Sequence, residues 1–290
     1  MDQRIINLYD RFTHGGMTRR DFLDRLTEMA GSAAAGAALL PLLQNNYAQA
    51  AIVADNDPRL AIDRIAYDGP KGKVSAYLAR PKSKGKRPAV IVIHENRGLN
   101  PHLEDVARRL ALEGFIALAP DLLSVNGGTP ASEDAARDLH TKTDREEMIA
   151  AAVAAIGVMQ KHPESTGKVG AIGFCFGGGV VNRMATDNPN LLAAVPYYGA
   201  QPPAEKVPAI KAALLLQYAE NDENIDKGIP AYEAALKANK KKYAIHIYPD
   251  TQHAFNNDTG AARYNKAAAD LAWGRTIAFF KEHLGAPRAA

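Results

Sequence analysis

The chain has 290 residues, of which 47% are hydrophobic and 23% charged, with a net charge of +3. These totals suit one large α/β domain or two small ones and exclude a disordered chain. Charge this slight, with no like-charge block beyond Lys240-Lys241-Lys242, gives no footing for nucleic-acid binding.

Residues 1–50 read as an address and not as part of a fold. Thr18-Arg19-Arg20-Asp21-Phe22-Leu23 resembles a twin-arginine export signal, and a small-residue apolar stretch follows over 29–43. Ala48-x-Ala50 then has the small-x-small pattern of a signal-peptidase site. The stretch is too short and too rich in Ala and Gly to span a membrane comfortably. The expectation is a periplasmic or secreted protein with no stable membrane span in its mature form. The alternative is a cytoplasmic protein with an ordinary N-terminal helix, since Ala and Leu are strong helix formers.

Residues 51–60, dense in Asp, Asn and Pro, read as a linker, and 61–285 as one domain. Residues 62–67 and 74–79 alternate apolar and polar around Asp68-Gly69-Pro70, which predicts an antiparallel hairpin. The continuously apolar run at 89–93 predicts a strand buried on both faces. Helices are predicted over 103–113, 146–161, 176–187, 229–238 and 261–283. Further strands are predicted over 115–119, 168–172, 192–198, 212–218 and 244–248. Strands alternating with helices make this an α/β protein with a mostly parallel sheet covered on both faces.

The only cysteine, Cys175, permits no intramolecular disulfide and implies no Cys-based metal site. Its surroundings are specific. The apolar strand ends in Gly173-Phe174-Cys175-Phe176-Gly177, a Gly-x-Cys-x-Gly nucleophile-elbow pattern that leads into a helix. Larger residues at 173 and 177 would collide with neighbouring backbone in so tight a turn. The sulfur would stand at a helix N-terminus, where a thiolate is favoured. The spacing Gly173-x-Cys175-x-x-Gly178 also fits a dinucleotide loop, but no acidic ribose partner follows at the required distance.

A nucleophile on such an elbow needs an acid and then a histidine later in the chain. His246 falls in a strand and His283 near the end of the last helix, which leaves His253 in the loop between them. The acid should follow the strand before it. Asp222 is the first choice there, with Glu220, Glu223 and Asp226 as competitors, and Asp250 reads as a turn residue.

With these residues in hand, the chain resembles the dienelactone hydrolase family over nearly all of 60–285. The resemblance rests on His94-Glu95-Asn96-Arg97-Gly98, Ala119-Pro120-Asp121-Leu122, the Gly173–Gly178 segment, Asp222 and His253-Ala254-Phe255. It implies a single α/β-hydrolase domain, a Cys175–Asp222–His253 triad and no cofactor. It also implies that Glu95 lies beside the cysteine and keeps the resting thiol neutral; the alternative for Glu95 is an ion pair with Arg97 or Arg108. The backbone N–H groups of Asn96 and Phe176 would form the oxyanion hole.

Two positions depart from the family pattern. Where relatives that open dienelactone hold its carboxylate with arginines, this chain has Val125 and Asn257. Arg97 or Arg183 could stand in; without them a neutral substrate is expected. The expected substrate is thus a small ester or lactone, cleaved through an acyl-cysteine intermediate. The competing readings are a peptidase-like or polyester-cleaving hydrolase, a non-catalytic protein on this scaffold, and a redox sensor. The last would need a resolving thiol.

Overall fold

The computed structural model describes residues 1–47 and 51–287. Its centre is an eight-stranded sheet in the order β1-β2-β4-β3-β5-β6-β7-β8. β1 (Leu60–Gly69) and β2 (Gly72–Pro81) form the expected hairpin, closed by a Gly69–Gly72 pair around Pro70 and Lys71. β2 lies antiparallel to β4 (Ile116–Pro120). From β4 the sheet continues parallel through β3 (Arg87–Ile93), β5 (Ser165–Phe174), β6 (Ala193–Tyr197), β7 (Ala213–Asn221) and β8 (Tyr243–Gln252).

The apolar run of β3 is buried at every position, as a central parallel strand requires. Alternation sends Ile91 and Ile93 into one core and Val90 and Val92 into the other. Helices α6 (Arg145–Lys161), α7 (Phe176–Asp187) and α8 (Ile229–Ala238) cover the first core; α4 (Pro101–Leu112) and α9 (Lys266–Leu284) cover the second. The parallel strands therefore present their C-terminal ends together, where ligands bind in open α/β sheets.

The long closing helix starts later than its sequence pattern suggests. Asn265 caps it by accepting from the Ala268 N–H, and residues 261–263 remain in turns. A further helix, α5 (Glu133–Lys142), escapes the sequence reading although Ser132 caps it and Glu133 and Asp134 occupy its first turn.

Residues 1–47 differ most from expectation, being helical and packed against the domain. They form α1 (Gln3–Thr13), α2 (Arg19–Ala30) and α3 (Ala33–Leu43). Thr18 and Asp21, inside the twin-arginine-like motif, make a capping box for α2. Arg19 pairs with Asp134 on α5. Ile5, Leu8, Tyr9 and Phe12 of α1 bury together with Phe22, Leu26 and Leu43 in a small third core, each such burial contributing about 1.5–3 kcal/mol. The Asn46 N–H donates to the Thr259 carbonyl at 2.8 Å, and Asn45 donates to Glu133 at 2.9 Å. Among the described residues no single helix is long and apolar enough to cross a membrane; α2 and α3 together reach that length and composition but bend by 113°. The small-x-small pattern at Ala48 and Ala50 lies outside the described residues.

Candidate active site

β5 ends at Phe174 and α7 begins at Phe176, so Cys175 is the whole turn between them. Its backbone sits at φ 57 and ψ −117, a conformation that costs about 1–3 kcal/mol for a residue with a side chain. The neighbouring glycines make the turn possible. A Cβ on Gly173 would come within 2.2 Å of the Gly177 carbonyl oxygen, and one on Gly177 within 2.4 Å of the Ile93 carbonyl oxygen. The Cys175 N–H donates to the Tyr197 carbonyl at 3.1 Å, which ties the turn to β6. The Phe176 N–H opens α7 and has no acceptor within the helix. Phe176 lines a cavity of about 270 Å³ together with Cys175, Asn96 and His253.

The loops after β7 and β8 supply the other two expected residues. His253 Nδ1 lies 2.5 Å from Asp222 Oδ2, and both side chains are buried. Of the competing acids, Asp226 accepts from the Asp222 N–H at 3.3 Å and Glu220 accepts from the Asp250 N–H at 2.8 Å. Neither is hydrogen-bonded to the imidazole. Burial and the neighbouring Asp222 carboxylate raise the Asp226 carboxyl to about 6. Burial opposes charge on His253, yet Asp222 and Cys175 outweigh it and hold the ring well above its ordinary range. Burial likewise opposes the Cys175 thiolate, but the imidazoles of His253 and His14 override it and bring the thiol down to about 6.

His14 is the residue at the site that the sequence reading missed. It ends α1, and its Nε2 lies 3.2 Å from Cys175 Sγ. Its Nδ1 donates to the Asp10 carbonyl at 2.8 Å, which turns the other nitrogen toward the sulfur. The ring meets His253 edge-on with centroids 4.9 Å apart. The Thr13 carbonyl accepts from Asn96 Nδ2 at 2.6 Å, so the N-terminal segment also closes over the Asn96 loop. A search for histidines only beyond Cys175 could not find His14. The usable signal was Asp2 as helix cap and the apolar stripe of Ile5, Ile6, Tyr9 and Phe12, which mark 3–13 as a packed helix.

Cys175, His14 and His253 offer a sulfur and two ring nitrogens within 4.8 Å of one another. That is a donor set suited to zinc.

Glu95 lines a small recess with Cys175, His253 and Arg263. Its Oε2 accepts from Asn257 Nδ2 at 2.9 Å, and its Oε1 has no hydrogen-bond partner among the described residues. The alternative ion pairs are not formed. Arg97 approaches Glu133 at 4.0 Å, and Arg108 pairs with Asp55 and donates to Val53 and Tyr77. Asn257 therefore holds Glu95. Val125 does not line the cavities at Cys175, and Arg183 is engaged with Glu146 and Asp187. Cations missed in the sequence lie closer. Arg137 and Arg145 line the 270 Å³ cavity, and partly buried Arg263 sits 3.5 Å from Asp10. A larger groove of about 590 Å³ runs along α1 and reaches His253 and Asp222, but not Cys175.

With this geometry in view, residues 74–284 match the family model described as dienelactone hydrolase family. The chain belongs to the dienelactone hydrolase family. It is 34% identical over 255 residues to a putative carboxymethylenebutenolidase of Saccharolobus solfataricus, covering 75% of this chain and 97% of that one. Among solved structures it is similar to a putative dienelactone hydrolase from Klebsiella pneumoniae, at 27% identity and TM-score 0.70, covering 77% of this chain and 99% of the other. It is also similar to P91, a dienelactone hydrolase-like promiscuous phosphotriesterase from metagenomic libraries, at 26% identity and TM-score 0.68, covering 78% of this chain and all of that one (100%). The fold is the α/β-hydrolase fold of this family and the protein is a hydrolase. Residues 1–31, which carry His14, match a separate model described as YqhI-like.

Proposed function

We propose that this hydrolase cleaves small esters or lactones without a cofactor, using Cys175 as nucleophile, His253 as proton donor and acceptor, and Asp222 to orient His253. The observation that carries this reading is the strained Cys175 elbow beside a histidine whose Nδ1 lies 2.5 Å from a buried carboxylate. The thiolate attacks the substrate carbonyl and the oxygen gains charge. The N–H groups of Phe176 and Asn96 are suited to receive it, since both residues line the cavity at the sulfur. As the tetrahedral species collapses, the C–O bond breaks. His253 passes its proton to the leaving alkoxide, and an acyl-cysteine remains. Water then cleaves the thioester.

Glu95 works against the two imidazoles in this reading. A carboxylate in the same recess disfavours a second negative charge on the sulfur and so limits the resting thiolate. The limit has chemical value, because a permanent thiolate is open to oxidation. The test is a panel of p-nitrophenyl esters and lactones on the purified protein beside Cys175→Ala. Turnover by the wild type and none by the variant is expected. Equal turnover by both overturns the reading.

A further inference from the structure

We propose that His14, carried to the site by the N-terminal helices, is the general base that activates water against the acyl-Cys175 intermediate. The proposal rests on the reading of Cys175 as nucleophile and divides the work between the two imidazoles that face it.

The two rings are held differently. His253 is buried and bound to a carboxylate, so it reaches the reaction charged and suited to give a proton. The Nδ1 of His14 is held by a backbone carbonyl at 2.8 Å, with the Asp10 carboxylate farther off at 3.5 Å. The groups facing His14 are Cys175, His253, Asp10 and the Thr13 hydroxyl, with Arg263 behind Asp10. Burial and His253 disfavour charge on His14, and Cys175 is the first of the groups that favour it. Acylation removes the thiolate and with it that support. The proton His14 carried leaves to solvent, and His14, whose Nδ1 is hydrogen-bonded to a backbone carbonyl where that of His253 meets a carboxylate, is the imidazole placed to take a proton from water.

Position favours the same role. Nε2 lies 3.2 Å from Sγ and so stands against the atom that bears the acyl group. His14 is 37% exposed at its side chain, whereas His253 is 8% exposed, so His14 is the ring more open to water. Deacylation then balances. Water oxygen bonds to the acyl carbon while a water proton moves to His14 Nε2. The C–S bond breaks, the acid leaves and Sγ departs as thiolate. Protonated His14 now faces the thiolate, which is the resting ion pair. The product acid ionises, and its proton restores His253 through solvent.

The experiment is pre-steady-state hydrolysis of a p-nitrophenyl ester by the full chain carrying His14→Gln, with intact-protein mass measured during turnover. The expected result is a burst of about one p-nitrophenol per chain, slowed no more than the alkylation of Cys175 in the same variant is slowed, a steady state lower by about 10²-fold, and an accumulated acyl-enzyme. A steady state within twofold of wild type and no acyl adduct overturns the proposal. Loss of the burst together with turnover also overturns it, since His14 would then serve acylation. His14→Ala with added imidazole guards against a displaced N-terminal segment. Faster decay of the trapped acyl-enzyme supports a base, and unchanged decay in a variant that melts like wild type overturns it. Failure of the underlying reading looks different: Cys175→Ala would keep its activity.

Discussion

The elbow glycines give the sharpest mechanical test. A Cβ on Gly173 would stand 2.2 Å from the Gly177 carbonyl oxygen, and contacts under 3.0 Å essentially do not occur. Gly173→Ala must therefore open the turn by 0.8 Å, the difference between those two distances. The obstacle is backbone, so no side chain can swing away to relieve it. Overpacking of this kind costs about 1–3 kcal/mol. A displacement near 1 Å at the reacting atom lowers kcat by about 10²-fold. Gly157→Ala is the matched control. It lies inside α6 with nothing within 4 Å of the added carbon, and there the change should stabilise the protein by about 0.5–1 kcal/mol with kcat unaltered. Chemical denaturation and ester turnover of both variants read the two effects side by side. Wild-type stability and kcat in Gly173→Ala would refute the elbow argument.

Alkylation of Cys175 should rise with pH to half its maximum at about 6, because a depressed thiol pKa leaves the reactive thiolate present above that value. His253→Gln should move the midpoint up toward the ordinary 9.0, and Glu95→Gln should move it down; iodoacetamide kinetics across pH decide both. Asp222→Asn should lower kcat by about 10⁴-fold, since His253 loses the partner that fixes its tautomer; a small loss in steady-state kinetics would return the role to Asp226 or Glu220. Arg145→Ala should weaken kcat/KM for a carboxylate-bearing lactone by about tenfold or more and leave its methyl ester unchanged, because such charge-assisted bonds contribute about 1.5–3 kcal/mol when formed. Equal losses on acid and ester would remove Arg145 from substrate binding.

What the sequence disclosed follows from the range of each signal. The sheet was legible because β3 carries an uninterrupted apolar run over 89–93 and β5 ends in a buried run from Val169 to Phe174, and the hairpin because β1 and β2 alternate. The elbow was legible because its steric demands fall on Gly173 and Gly177, which are local in the chain. Asp222 could be separated from Asp226 and Glu220 only by seeing which carboxylate meets His253 Nδ1. His14 approaches Cys175 from 161 residues away, and Asn257 approaches Glu95 from 162. No local pattern encodes such pairs. The N-terminal stretch was read from its Arg-Arg pair and alanines, which are also what α2 and α3 are built from. Its packing against the active site rests on the His14–Cys175 and Thr13–Asn96 contacts, which no local pattern in the stretch announces.

The most direct measurement of the central claim is acid-quenched turnover of p-nitrophenyl acetate followed by peptide mapping. The account requires an acetyl group on Cys175 that forms within the burst and disappears as substrate is exhausted. Full turnover with Cys175 unmodified, or an acetyl group on another residue in its place, would contradict it.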